Sequence, residues 1–343
     1  MKRKTELLLI CAISAVLFAC MSVTVFADEN WSNLQTRLNQ GGEIVLDQDY
    51  TADASDVALE VPEGATVILD LNGHTIDRGL TEKKAKVNGN VITVKGSLTI
   101  KDSDPEGKGQ ITGGHNTDDG GGVLVDNNAD FTMEGGRIVG NKVDGDGGGV
   151  NVDYASFTLT GGQISGNTAG CDGGGVLADY ESSFSMYGGE ITDNEAADNG
   201  GGVFCSSSIV DIIKGKISRN TASKGGGVAV DYSYRQLQFT LSGGEITNNS
   251  AKEAGGGIDA LHCDIQLFGS PVVKDNKVEA ENSQEAAVSN LRLDEDSTIT
   301  ISDKLQNAAI GVNMETPGTF TNGFKEKMEV SSVCVGRRVT LPW

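Results

Sequence analysis

GGGVNVDYASFTLTGGQISGNTAGCDGGGVLAD, residues 147–179, holds one full period of a repeat and the opening of the next. GGGV recurs at 120–123, 147–150, 173–176, 200–203 and 225–228, and GGGI follows at 255–258. The starts lie 27, 26, 27, 25 and 30 residues apart. Between them an aliphatic residue stands three before an Asn, in IVGN, ISGN, ITDN, ISRN and ITNN ending at Asn141, Asn167, Asn194, Asn220 and Asn249. Self-similarity at this period marks a stacked repeat architecture.

Aligned copies alternate in character. V-x-V-D at 123–126 and 150–153 becomes VLAD at 176–179, VFCS at 203–206 and VAVD at 228–231. A second segment carries Phe131, Phe157, Phe184, Val210 and Phe239, with Met133, Leu159, Met186, Ile212 and Leu241 two residues on. A third centres on Ile138, Ile164, Ile191, Ile217 and Ile246. Period two with β-branched and aromatic residues, bounded by Gly, Asn and Asp, is strand chemistry. The period therefore predicts an all-β parallel β-helix, a solenoid with three short strands per rung of about 26 residues. Each strand pairs with its copy roughly 4.8 Å along the axis, so Phe and Ile columns become continuous core. The glycine triplets mark sharp turns, and the Asn column is expected to take left-handed backbone while bonding its stacked neighbours.

Outward from the repeats, residues 1–27 read as a signal peptide: Lys2-Arg3-Lys4, an apolar run, and cleavage after Ala27. The run is also long enough to span a membrane as an uncleaved anchor, and Leu17-Phe18-Ala19-Cys20 loosely resembles a lipoprotein box. Residues 28–119 hold an N-terminal cap and early rungs. Trp31, Leu34 and Leu38 share one helical face, suited to covering the open end of a solenoid. Residues 80–88 are expected to protrude. Residues 120–276 are the regular rungs, and 277–343 contain the last irregular rungs and a tail.

The formal charge is −21, and the leader contributes +2 (Lys2, Arg3 and Lys4 against Glu6), leaving −23 on the mature chain. Such a field disfavours nucleic acid and anionic membrane. The expectation is a secreted or cell-surface monomer with no membrane insertion after cleavage. Four cysteines remain beyond the leader, Cys171, Cys205, Cys263 and Cys334, without metal-ligand spacing. Cys205 replaces Val in an inward column and reads as a buried thiol.

GGGV alternating with I-x-x-N, behind a leader and the LDLNGHTI entry at 69–76, resembles the right-handed parallel β-helix proteins of the pectate-lyase-like superfamily. Within that group it is similar to bacterial surface β-helix proteins and to the repeats of chlamydial polymorphic outer-membrane proteins. The resemblance spans about 28–314 and implies a right-handed β-helix that hosts lyases, hydrolases and non-enzymatic adhesins alike. Residues after the repeats are too few for an autotransporter barrel, and no wall-sorting motif is evident.

In V-x-V-D the valines point inward, so x and Asp point out. Asp126, Asp153 and Asp179 then stack, with Ser206 interrupting before Asp231. Stacked carboxylates repel, and a hard cation relieves that repulsion. Asp126, Asp153 and Asp179 are thus candidate ligands for weakly held Ca²⁺, with no cofactor required. A second column, Asp119, Asp146 and Asp172, precedes the glycines, where Asp is also ordinary turn chemistry. The polysaccharide lyases of the resembled fold hold Ca²⁺ on stacked Asp with an Arg or Lys base nearby, and no such base stands in register here. Leu124, Leu177 and Phe204 on the x column, edged by Tyr154, Tyr180 and Tyr232, form a candidate stripe for a glycan or a host or cell-surface polymer, unless a flanking loop covers it or the tyrosines turn inward. No catalytic residue is assigned. The reading is a non-catalytic binding or adhesion scaffold, with a polysaccharide lyase or glycoside hydrolase on the same face as the alternative.

Overall fold

The computed structural model describes residues 30–80, 85–232, 238–279, 286–314 and 321–322. The expected leader, the tip of the 80–88 loop, Cys334 and the tail from Phe324 lie outside them. The chain is a parallel β-solenoid of about eight turns. Val150–Asp153, Ser156–Leu159 and Gln163–Ser165 are the three longer strands of one rung. A two-residue fourth, Thr168–Ala169, leads back to the next glycine triplet. Two residues are too few to display alternation, so this strand leaves no periodic trace in the sequence. Stacked by position, the strands build sheets of 10, 11, 10 and 8 members among the described residues.

Register is strict. Val150 pairs Val176, Phe157 pairs Phe184 and Ile164 pairs Ile191. Phe131, Phe157 and Phe184 consequently stack ring on ring, with centroids 4.8 and 5.2 Å apart. The Val, Phe and Ile columns are buried throughout.

The Asn column is the other spine of the molecule. Backbone N–H and Nδ2 of Asn167 both donate to Oδ1 of Asn194, at 3.0 Å each. The same Nδ2 donates to the Ile138 carbonyl. The pattern runs from Asn141 to Asn276 and ends on Asn290, which accepts from Asn276 across the irregular segment. The expected left-handed Asn is corrected here. The residue before each Asn takes positive φ instead: Gly140, Gly166, Asp193, Arg219, Asn248 and Asp275. That residue makes the turn, which frees the Asn side chain to point inward and satisfy buried backbone groups.

In each triplet the first glycine has positive φ, as at Gly147 (74°). The second and third lie against the next rung: a Cβ on Gly148 or Gly149 would sit 2.5 Å from a carbonyl oxygen of Gly174 or Gly175. These two positions exclude side chains because of packing between rungs.

At the N-terminus, Trp31–Gln40 is helical and buries Trp31, Leu34 and Leu38. Asn30 caps it by accepting from the Asn33 N–H. Gln35 donates to the Glu60 carbonyl and accepts from the Glu60 N–H, at 2.8 and 2.7 Å. The helix thereby covers the open core and also satisfies edge strand Leu59–Val61, which begins its sheet.

Candidate functional site

The first strand of each rung ends at a corner where the chain turns left-handed. Asp126, Asp153 and Asp179 are in register there. The residues after them, Asn127, Tyr154 and Tyr180, have φ of 35°, 48° and 51°. A non-glycine residue in that region costs roughly 1–2 kcal/mol. Tyr154 and Tyr180 are 50% and 53% exposed. Their rings stack at 5.3 Å with a 20° interplanar angle.

Tyr232 does not join this row. It is 3% exposed, and its hydroxyl donates to the Ser208 carbonyl at 2.7 Å. Burial pushes its phenol far above the ordinary range. The x column is also less open than its outward direction implies. Leu177 is 6% and Asn151 4% exposed, while Leu124 and Phe204 are half-buried. The cover is the first glycine of each triplet: a Cβ on Gly147 would lie 2.6 Å from Asn151 Cβ, and one on Gly200 2.7 Å from Phe204 Cβ. The structure therefore brings together Asp126, Asp153, Asp179, Tyr154 and Tyr180, and leaves Leu124 and Phe204 at the margin. Leu177 faces outward but is covered, and Tyr232 is interior.

The second acidic column is a hydrogen-bonded ladder. Asp119 accepts from the Asp146 N–H at 2.9 Å, and Asp146 from the Asp172 N–H at 2.8 Å. Asp172 accepts from the backbone and side-chain amides of Asn199. Burial, with the nearby charges of Asp172, Asp119 and Asp179 adding to it, holds the Asp146 carboxyl up at about 6. Burial and the charges of Asp126 and Asp179 likewise raise Asp153. Burial also raises Asp172 and Asp179, although hydrogen bonds to their charged forms oppose the shift. The two columns thus form one acidic surface. Within it the Oδ1 atoms of Asp153 and Asn151 are buried without a donor.

The cations beside this surface hold carboxylates of their own. Lys95, near Asp126, pairs with Glu60 at 2.7 Å, and Lys224, continuing the second column, pairs with Glu253 at 3.6 Å. Among the described residues no group of three or more His, Cys, Asp or Glu side chains is arranged to hold a metal ion. Cys205 is buried as expected, and burial raises its thiol. Two features gave no repeat signal. Asp259, which is buried, pairs with Arg292 at 2.7 Å on the x column. His262 lies 3.7–3.9 Å from Asp231, Asp294 and Asp296. Both sit where IDAL and LRLD depart from V-x-V-D, and that departure was the only available clue. Compared with protein-family models, curated proteins and solved structures, the chain matches none.

Proposed function

We propose that the protein is a secreted or cell-surface β-helix of the pectate-lyase-like type, working as a non-catalytic scaffold for adhesion to a glycan or cell-surface polymer. The observation that carries this reading is the exposed Tyr154–Tyr180 pair, aligned with the Asp126, Asp153 and Asp179 row along one corner of the solenoid. A corner with a repeated acidic and aromatic row presents several weak contacts to a repeating ligand, and linked weak contacts add up to useful avidity. Lys95 and Lys224 are engaged by Glu60 and Glu253, which favours a scaffold over a lyase that needs a free base.

One observation favours the alternative of a glycoside hydrolase. Asp146, held at about 6 beside Asp172 and Asp119, resembles a carboxyl poised as an acid near neutral pH. A glycan array run beside a reducing-sugar release assay separates the two. Array binding with no released sugar is expected. Sugar release that disappears in Asp146→Asn makes the protein an enzyme.

Divalent cations associate with the Asp126, Asp153 and Asp179 row weakly, at about 10⁻⁴–10⁻³ M, because water must complete their shell. Millimolar calcium is expected to raise the Tm slightly, and Asp153→Asn to remove that rise while Asp231→Asn keeps it.

A further inference from the structure

A second corner, between the second and third strands, carries a cleft of about 330 Å³. Three successive rungs build it. In the earliest, residues 102–109 connect Ser97–Lys101 to Gln110–Thr112, whereas residues 134–136 and 160–162 suffice one and two rungs later. The longer connection is a ledge, and Gly107 stands on it. Gly135 and Gly136 form a bare floor where side chains are excluded: a Cβ on Gly136 would lie 2.6 Å from Leu71 Cδ1. Arg137 and Gln163, in register on the third strands, line the cleft together with Asp102.

Arg137 is the unusual member. Its Nε is buried and has no hydrogen-bond partner, and no salt bridge engages its guanidinium among the described residues. That is unexpected in a chain with 48 acidic residues and 27 Lys and Arg. With no ion pair to break, the rest of the guanidinium is available to an acceptor in the cleft. Asp102 is fixed by its own backbone bonds. Its Oδ1 accepts from the Gly73 N–H at 2.8 Å and its Oδ2 from the Gly109 N–H at 2.8 Å. Since a carboxylate oxygen can accept two bonds, Oδ2 keeps acceptor capacity. Gln163 contributes an amide whose present contacts, to Glu190 at 3.5 Å and Ser165 at 3.3 Å, are long.

We infer that this cleft is a subsite for a neutral sugar residue, held by Arg137 and Gln163 as donors and Asp102 as acceptor. The formal charges of Arg137 and Asp102 cancel. An anionic ligand would face Asp102 within the field of a chain of charge −21. Vicinal hydroxyls both accept and donate, so one sugar edge satisfies the guanidinium and the carboxylate together. The volume lies at the low end of small-molecule pockets, about 300–1,000 Å³, which fits a ring or two of a chain rather than a long segment. The inference rests on the glycan-binding reading above but assigns the contact to a different corner from Tyr154 and Tyr180.

The test is calorimetric titration of the full chain with neutral cello-, xylo-, manno- and galacto-oligosaccharides, and with oligogalacturonates of equal length. A neutral series should bind, and Arg137→Met should weaken it at least about tenfold, the loss expected from one charge-assisted hydrogen bond. Gln163→Ala, on the rim, should weaken it as well, and it decides the matter if Arg137→Met fails to fold. Lys277→Ala, exposed on the fourth sheet and apart from both corners, should bind within about twofold of the parent, a difference of roughly 0.4 kcal/mol. Binding that is undiminished by both cleft variants but lost in Tyr154→Ala overturns this subsite and leaves the glycan reading standing. Binding of oligogalacturonates alone overturns the ligand class. Failure to bind any of the series overturns the subsite and the glycan reading together.

Discussion

Asn167, Asn194, Asn220 and Asn249 stack at one corner of the solenoid, and Asp126, Asp153 and Asp179 stack at another with the same rung-to-rung rise. At the first corner every side chain is buried and each Nδ2 meets the next Oδ1 at 3.0 or 2.9 Å. At the second, burial and then the charges of Asp126 and Asp179 raise Asp153, and its Oδ1 is left with no donor. An amide both donates and accepts, so a column of amides closes on itself. A carboxylate only accepts, so these side chains cannot bond one another; Asp126 and Asp179 accept from Asn127 and Tyr180, and Asp153 Oδ1 remains open to a donor or cation. Repetition of one residue type therefore closes a ladder in the first case and leaves an open acceptor in the second.

The largest expected effect tests the claim that buried columns hold the stack together. Phe157→Ala interrupts the Phe131–Phe157–Phe184 stack and should cost about 3–5 kcal/mol in denaturant unfolding. Tyr154→Ala, on the exposed row, should stay within about 0.5 kcal/mol. Equal losses would erase the distinction between the two kinds of column.

Placing a carboxylate in the amide ladder tests the comparison most directly. Asn194→Asp sets an acceptor against the Ile164 carbonyl and Asn220 Oδ1, both of which Nδ2 now serves. A buried, uncompensated charge should cost about 3 kcal/mol at pH 7. Part of that cost should return near pH 5, where a proton restores a donor. A neutral outcome would mean the ladder bonds contribute little.

The acidic surface should reveal itself through pH. Asp146 sits at about 6 when folded against 3.8 as its ordinary value. Between these values the folded chain keeps a proton that the unfolded chain releases, so stability falls as pH rises through that window. Solvent screening on this half-exposed group holds the effect to about 1 kcal/mol. Asp146→Asn retains the acceptor for the Asp172 N–H and should flatten the Tm profile between pH 4 and 6 relative to the parent. An unchanged slope would place the titration elsewhere.

Smallest is Asn151→Leu. Asn151 is buried between Leu124 and Leu177 in register, with an unpaired Oδ1. Leucine continues the column and removes the orphan acceptor, so unfolding should be unchanged or up to about 1 kcal/mol harder. A clear loss of stability would show that the Asn151 amide has a role that its present contacts do not account for.

What the sequence determined by itself was the period and the alternation within it. The GGGV and I-x-x-N periods defined the rung, the alternation in V-x-V-D and in the Phe segment placed Val152, Phe157 and Ile164 inside, and the Trp31, Leu34 and Leu38 face announced the cap. Identical residues at a fixed period must stack, and stacking dictates which face is shared. Only the tertiary structure decided how far each outward column is covered. Gly147 closes over Asn151, and Tyr232 turns inward while Tyr154 and Tyr180 stay out, because φ at a single corner residue reverses the direction of the side chain. The Asp102, Arg137 and Gln163 cleft was equally unreadable from sequence. Its residues are 26 to 61 positions apart, and they meet because one rung carries a longer connection than the two that follow.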